Sequence, residues 1–196
     1  MATLDEIKEL RDATGISVMQ CKKALEEAGG DKEKALALLR KKGSEIASKK
    51  SDRELGSGVV SAYIHTNHAV GAMVTLSCET DFVAKNEEFL ALAYDIAMHI
   101  TAMNPTYVSD AQVTPEERAK ATELFQKEVD ESEKPAEIKE KMMQGKLDAY
   151  FKERTLLDQS FVKNQDITVR QEIETAIQKF GERIEVKTFV RGAVAG

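Results

Sequence analysis

Apolar residues recur every three or four positions through the first part of the chain, every second position from Gly58 to Cys78, at helical spacing again as far as Phe180, and alternately once more to Arg191. A period near 3.6 predicts amphipathic helices and a period of two predicts strands with one buried face. Leu4, Ile7 and Leu10 mark a first helix stopped at Thr14-Gly15. Ser17 is placed to cap a second, carried by Val18, Cys21, Ala24, Leu25 and Ala28 as far as Gly29-Gly30, and Asp31 a third, with Ala35, Leu38 and Leu39 inward and Lys41, Lys42 and Gly43 at its end. Ser44 to Leu55 lacks an apolar period and carries Lys49, Lys50 and Arg53, which reads as a basic linker. The division is therefore a three-helix unit over 1–43, a linker over 44–55 and a larger unit over 56–196.

In the larger unit Val60, Ala62 and Ile64 alternate with Ser61, Tyr63 and His65, a turn falls near Thr66-Asn67-His68, and Val70, Ala72, Val74, Leu76 and Cys78 line one face of a returning strand. Asn86 then caps a long helix with Phe89, Leu92, Ala93, Ile96, Ala97, Ile100 and Met103 on its inner stripe, stopped before Asn104-Pro105. Thr114-Pro115-Glu116-Glu117 starts another helix. A short one follows Lys134-Pro135 and is expected to break at Gly145, and Leu156 to Val162 reads as an extended connector. Val169, Ile173, Ile177 and Phe180 mark a last helix ended by Gly181. A third strand then places Ile184, Val186, Thr188 and Val190 opposite Glu185, Lys187, Phe189 and Arg191. Fold class follows: α+β, an N-terminal three-helix domain and a core of a small antiparallel three-stranded sheet packed with helices.

The 196 residues are 42% hydrophobic and 32% charged, with no signal-peptide pattern at Met1-Ala2-Thr3-Leu4-Asp5 and no membrane-length apolar run, so the expected location is cytoplasmic. A net charge of −6, from 28 basic and 34 acidic residues, argues against a general nucleic-acid binder. Cys21 and Cys78 sit on apolar faces and read as buried free thiols. No phosphate-binding glycine loop, zinc motif or nucleophile elbow occurs. Enzymatic chemistry, a cofactor and a metal are therefore not expected. His65 and His68 flank the hairpin turn at no metal-ligand spacing, and a Cys78–histidine nucleophile would need an exposed, activated thiol.

Two features stand apart. Ile16, Val18 and Met19 crowd the turn after Gly15 and cannot all point inward. Either two of them staple the small core, or Val18 or Met19 offers an apolar contact to a partner. Thr80-Asp81-Phe82-Val83 joins strand to helix and puts an acid beside a large aromatic where the chain should turn at the surface. Pattern alone leaves two readings: Asp81 caps the helix while Phe82 packs back on the hairpin, or both face outward.

The stretch Cys78-Glu79-Thr80-Asp81-Phe82-Val83-Ala84-Lys85-Asn86 closely resembles the signature of the bacterial translation elongation factor Ts family. Leu10-Arg11-Asp12-Ala13-Thr14-Gly15 followed by Cys21-Lys22-Lys23-Ala24-Leu25 resembles it too, as do Ile96-Ala97-Met98-His99-Ile100 and Gln159-Ser160-Phe161-Val162, all in family order. The resemblance implies a guanine-nucleotide exchange factor that binds elongation factor Tu, a GTPase, and promotes release of its GDP. It implies that the three-helix unit is ubiquitin-associated-like (UBA-like) and meets the GTPase domain through Gly15, Val18, Met19 and Lys23. It further implies that Thr80, Asp81, Phe82 and Val83 insert beside the partner's magnesium and nucleotide. The chain resembles a short form without the second core half and the helical hairpin that many members carry, and short forms are expected to be homodimers forming a 2:2 complex with the GTPase. Two departures from the family pattern are Val190, where a short form can carry a cysteine, and Ser160, where proline is common. The rival readings are a non-catalytic adaptor using the three-helix domain and a small thiol or metal enzyme using Cys78 and histidines.

Overall fold

Thr3 opens the first helix by a reciprocal cap: its hydroxyl accepts the Glu6 amide, and the Glu6 carboxylate accepts the Thr3 amide at 2.7 Å. In the computed structural model, which describes residues 2–194, this helix is α1 (Leu4–Thr14), ended by Gly15 in the left-handed conformation. Met1, Ala195 and Gly196, inside the expected unit boundaries, lie outside the described residues. Ser17 caps α2 (Val18–Glu27) and Asp31 caps α3 (Lys32–Lys49). Their core is Ile7, Leu10, Ile16, Cys21, Leu25, Ala35 and Leu39. Leu4 is exposed, so the inner stripe of α1 begins at Ile7.

Next come β1 (Ser57–Ile64), β2 (Val70–Cys78), the single turn α4 (Asp81–Ala84) and the long α5 (Glu87–Met103), capped by Asn86. Helices α6 (Pro115–Asp130) and α7 (Ala136–Lys152) pair as a hairpin around Val113, Ala121 and Phe151, with Tyr107, Leu147 and Tyr150 alongside. The chain therefore does carry a helical hairpin. Gly145 does not interrupt α7, because nothing crosses the helix there and a glycine costs only about 1 kcal/mol in a helix interior. The connector expected to be extended is a 3-10 turn, Leu156–Asp158, followed by a two-stranded ribbon of β3 (Ser160–Phe161) and β4 (Asn164–Thr168). Helix α8 (Val169–Phe180) and strand β5 (Ile184–Ala193) complete the chain. No helix among the described residues is long and apolar enough to cross a membrane.

The sheet is antiparallel with strand order β1-β2-β5, and α5 and α8 cover one face. Phe89, Ile96 and Ile100 of α5 and Val169 and Ile173 of α8 meet Val74, Leu76, Cys78 and Val186 of the sheet. Burying each such side chain is worth about 1.5–3 kcal/mol. Register decides which side of β1 joins them. Ser61 lies opposite Val74 and Val59 opposite Leu76, and residues facing each other across a ladder share a side. Val59, Ser61 and Tyr63 therefore point inward, and Val60, Ala62 and Ile64 face outward.

The alternation expected for β5 fails midway for a similar reason. Leu76 pairs with Val186 and Thr75 with Thr188, so Lys187 is an extra residue in a β-bulge. Beyond it the phase inverts. Phe189 packs on the core, Arg191 donates to the Thr101 carbonyl, and Val190 is exposed.

Gly43 does not end α3, which continues to Lys49. A β-carbon at Gly43 would lie 3.2 Å from the Glu174 carbonyl and 3.3 Å from the Gln178 side chain, so this glycine lets α8 cross close against α3. The Gln178 amide donates to Gln20 Oε1 at 2.6 Å, and Ile46 and Ala47 pack on the sheet-side core. The three-helix unit is thereby seated on α8. We expect Gly43→Leu to destabilise the protein by about 1–3 kcal/mol through overpacking, whereas Gly43→Ala should shift stability by less than about 1 kcal/mol. Urea unfolding of both variants checks this, and equal effects would contradict the close crossing.

His99 on α5 is fully buried. Its Nδ1 accepts the Val162 amide at 3.1 Å, which leaves the Nε2 proton to donate to Gln159 Oε1 at 2.9 Å. Burial pulls its pKa below the ordinary 6.5, with the Gln159 bond opposing in part, so the ring is held neutral. Because the unfolded chain then binds the proton more tightly, this stability is complete above about pH 6.5 and is lost as pH falls through the folded pKa. We expect the fall in stability between about pH 7 and 5.5 to be shallower in His99→Gln, by at most about 1.4 kcal/mol per pH unit, in urea titrations at both pH values.

Candidate functional site

Strand β2 ends at Cys78, which is fully buried and donates its S–H to the Thr80 carbonyl at 3.2 Å. Five residues on, Val83 is 4% exposed and sits in the main core. Between these two anchors the chain makes the single turn of α4, too short to bury a face of its own. Phe82 stands on that turn with 82% of its surface exposed. Asp81 is exposed beside it and accepts from Lys85 Nζ at 2.7 Å. That bond and the lysine charge hold the Asp81 carboxyl below the usual carboxylate range. Asp81 is not the helix cap: Thr80 occupies that position, and its hydroxyl turns to Glu182 instead of to the helix amides.

Of the four residues expected to act together here, the structure brings Asp81 and Phe82 to the surface, ties Thr80 down by its hydroxyl and buries Val83. The base of the turn is held by charged groups from distant parts of the chain. Glu79 accepts the Arg183 amide at 2.6 Å and Arg53 at 2.9 Å. Burial opposes its ionisation, but these donors outweigh that and keep its pKa low. Arg183 in turn donates to the Arg53 carbonyl at 2.6 Å, and Lys50 to the Gly181 carbonyl at 2.6 Å. Lys50 and Arg53 thus face the turn between α8 and β5 and the β2 end.

At the start of α2, Ile16 alone of the three crowded apolar residues turns inward, at 2% exposure. Val18 is half exposed and Met19 81% exposed, with Gly15 and Lys23 also at the surface. A side chain at Gly15 would meet Lys179 Nζ at 2.8 Å, and Lys179 pairs with Glu88 in the first turn of α5. Lys179 therefore bridges the Gly15 turn and the helix that follows Phe82. Sequence periodicity gave no sign of Lys179 or Glu182, because a lone polar residue on a helix end or turn carries no pattern.

A second exposed apolar surface lies on the sheet face opposite the helices. Val60, Ile64, Met73 and Val190 are each about half exposed or more, and Met73 stands between Ala62 and Val190 in register. Cys78 and the two turn histidines stand at opposite ends of β2, and burial raises the Cys78 thiol pKa, so no activated nucleophile pair is assembled. Among the described residues no group of three His, Cys, Asp or Glu side chains could hold a metal.

The family model described as Elongation factor TS matches residues 22–195. The chain is 46% identical over 188 residues to the elongation factor Ts of Thermosipho melanesiensis, covering 96% of both chains. It is 48% identical over 191 residues to that of Carboxydothermus hydrogenoformans, covering 97% of this chain and 88% of the relative. The counterpart from Heliobacterium modesticaldum is 46% identical over 191 residues, covering 97% and 89%. On a match that spans both the exposed turn and the sheet-and-helix core, the chain belongs to the elongation factor Ts family.

Proposed function

We propose that this protein is a non-catalytic guanine-nucleotide exchange factor of translation elongation, acting in the cytoplasm on the GTPase elongation factor Tu. The single observation that carries the reading is Phe82, a large aromatic held out of the core on a turn whose neighbours on both sides are buried or hydrogen-bonded. Exposing it gives the folded monomer nothing, since its burial would be worth about 1.5–3 kcal/mol. Its use is as a wedge. Asp81 carries a negative charge to the same place, suited to disturbing the magnesium and phosphate contacts of a bound nucleotide. Thr80 and Val83 anchor the wedge.

Gly15, Val18, Met19 and Lys23 form the second contact, with the partner's GTPase domain, from a UBA-like unit whose third helix runs past the expected boundary at 43 to Lys49 before the chain enters the core over 56–196. Contacts available only in the nucleotide-free partner make exchange-factor binding and GDP binding mutually weakening by the same free energy. No catalytic group or cofactor enters that scheme. A wedge already held in place spends little binding free energy on being ordered.

The outer sheet face is the proposed homodimer surface. Val60, Ile64, Met73 and Val190 make an apolar patch between two open sheet edges, which a second copy would cover by two-fold pairing, giving a 2:2 complex with the GTPase.

Release of fluorescent GDP from elongation factor Tu tests the wedge. Wild type should accelerate it, and Phe82→Ala should slow the accelerated rate by about tenfold or more, as expected for a contact worth about 2 kcal/mol. Asp81→Ala should also slow it, and both variants should unfold at the wild-type temperature. No acceleration by wild type would end the exchange-factor reading. For the dimer, sedimentation velocity of Met73→Glu should show monomer where wild type shows dimer. A monomeric wild type would remove that surface from the proposal.

A further inference from the structure

We infer that Glu182 is a positioning residue for exchange, a clamp that aims Phe82 without touching the partner; this rests on the wedge reading above. Glu182 follows Gly181 in the tight turn between α8 and β5, about a hundred residues along the chain from the wedge it holds. Its carboxylate collects three donors from the base of the wedge. Oε2 accepts the backbone amides of Glu79 at 3.1 Å and Thr80 at 3.0 Å, and Oε1 accepts the Thr80 hydroxyl at 2.6 Å.

The arrangement is reciprocal. Glu79 accepts the amide of Arg183, the residue after Glu182, so each glutamate binds the backbone of the other's segment. Arg53 on Glu79 and four backbone or hydroxyl bonds to the pair hold both carboxylates in place. A contact of this kind is more than a surface ion pair, because each carboxylate accepts from backbone amides fixed in the other segment.

The placement matters because of what lies on either side. The ladder of β2 with β1 ends at Cys78 opposite Ser57, and the next anchored side chain is Val83. Between them the Thr80 carbonyl is held by the Cys78 thiol and the Ala84 amide, and Glu182 holds the Glu79 and Thr80 amides that lead into Asp81 and Phe82. Thr80 is the first residue before α4, and its hydroxyl is spent on Glu182 and not on capping, which ties the start of that helical turn to a different element of the fold. Without the carboxylate, Glu79 and Thr80 turn their amides to water and the four residues of α4 pivot on Val83. Displacements of about 1 Å at a reacting or inserting group are enough to cost up to about a hundredfold in rate.

The experiment combines exchange kinetics with amide hydrogen exchange. Glu182→Ala should slow stimulated GDP release from elongation factor Tu by about tenfold. Glu182→Gln, which keeps one acceptor oxygen, should fall between it and wild type. The Glu79 and Thr80 amides should exchange faster with solvent in Glu182→Ala, while the amides of Val74 and Leu76 keep wild-type protection. In a Phe82→Ala background, Glu182→Ala should add no further loss, since a clamp has nothing to aim once the wedge is gone.

Wild-type rates in Glu182→Ala, with Phe82→Ala slow, would overturn the clamp and leave the wedge standing. Equal slowing by Glu182→Ala with and without Phe82 would also overturn it, by showing that Glu182 acts elsewhere. A Phe82→Ala variant as fast as wild type would instead remove the wedge reading, whatever Glu182 does.

Discussion

The packing of α8 between α3 and the sheet is the constraint on which the rest of the molecule depends. One flank of α8 buries Val169, Ile173 and Ile177 in the main core. Another lies against Gly43 of α3 so closely that a single methyl group would press on the Glu174 carbonyl. Its last turn carries Lys179 to the Gly15 turn and to Glu88, and the turn after it delivers Glu182 and Arg183 to the end of β2. One helix therefore fixes the three-helix unit, the sheet and the exposed turn of Phe82 relative to one another. Surfaces held in such a frame would spend little binding free energy on being ordered.

The distribution of apolar surface fits the same view. Among the described residues the protein buries three apolar clusters, yet leaves Phe82, Met19 and a row of side chains on the outer sheet face in solvent. None of these is stranded by poor folding. Phe82 sits between a buried Cys78 and a buried Val83, Met19 directly follows a capped helix start, and the outer sheet row follows from an orderly register.

Much of the architecture was legible from local pattern. Caps at Ser17, Asp31, Asn86 and Thr114, stops at Gly15 and Gly181, and the two-residue period of the hairpin all appear where expected, because each is decided by a few neighbouring residues. Where the reading failed, a distant partner had intervened. Gly43 looked like a helix end and is a helix crossing. Val60, Ala62 and Ile64 looked like a core face and are solvent-facing, since both rows of β1 contain apolar residues and only the pairing of Ser61 with Val74 chooses between them. Lys187 gave no sign of a bulge, so the outward turn of Val190 could not be foreseen. Gly145 and Gly43 are the same residue type in helix interiors, and only the presence or absence of a crossing helix tells them apart.

The sequence by itself determined the order and type of most elements, the α+β class and, through several motifs in one order, the elongation factor Ts family. It also singled out Asp81 and Phe82 as an acid and an aromatic in a turn. Only the tertiary structure decided that Phe82 points outward and that Val83 does not, that of Ile16, Val18 and Met19 only Ile16 is core, and that Glu182 bonds Thr80 from about a hundred residues away. The reason is physical. Helix period, capping and turn chemistry act over a few residues and leave a local trace, whereas side-chain direction at a loop and the partners of a lone carboxylate depend on contacts that exist only once the chain has folded.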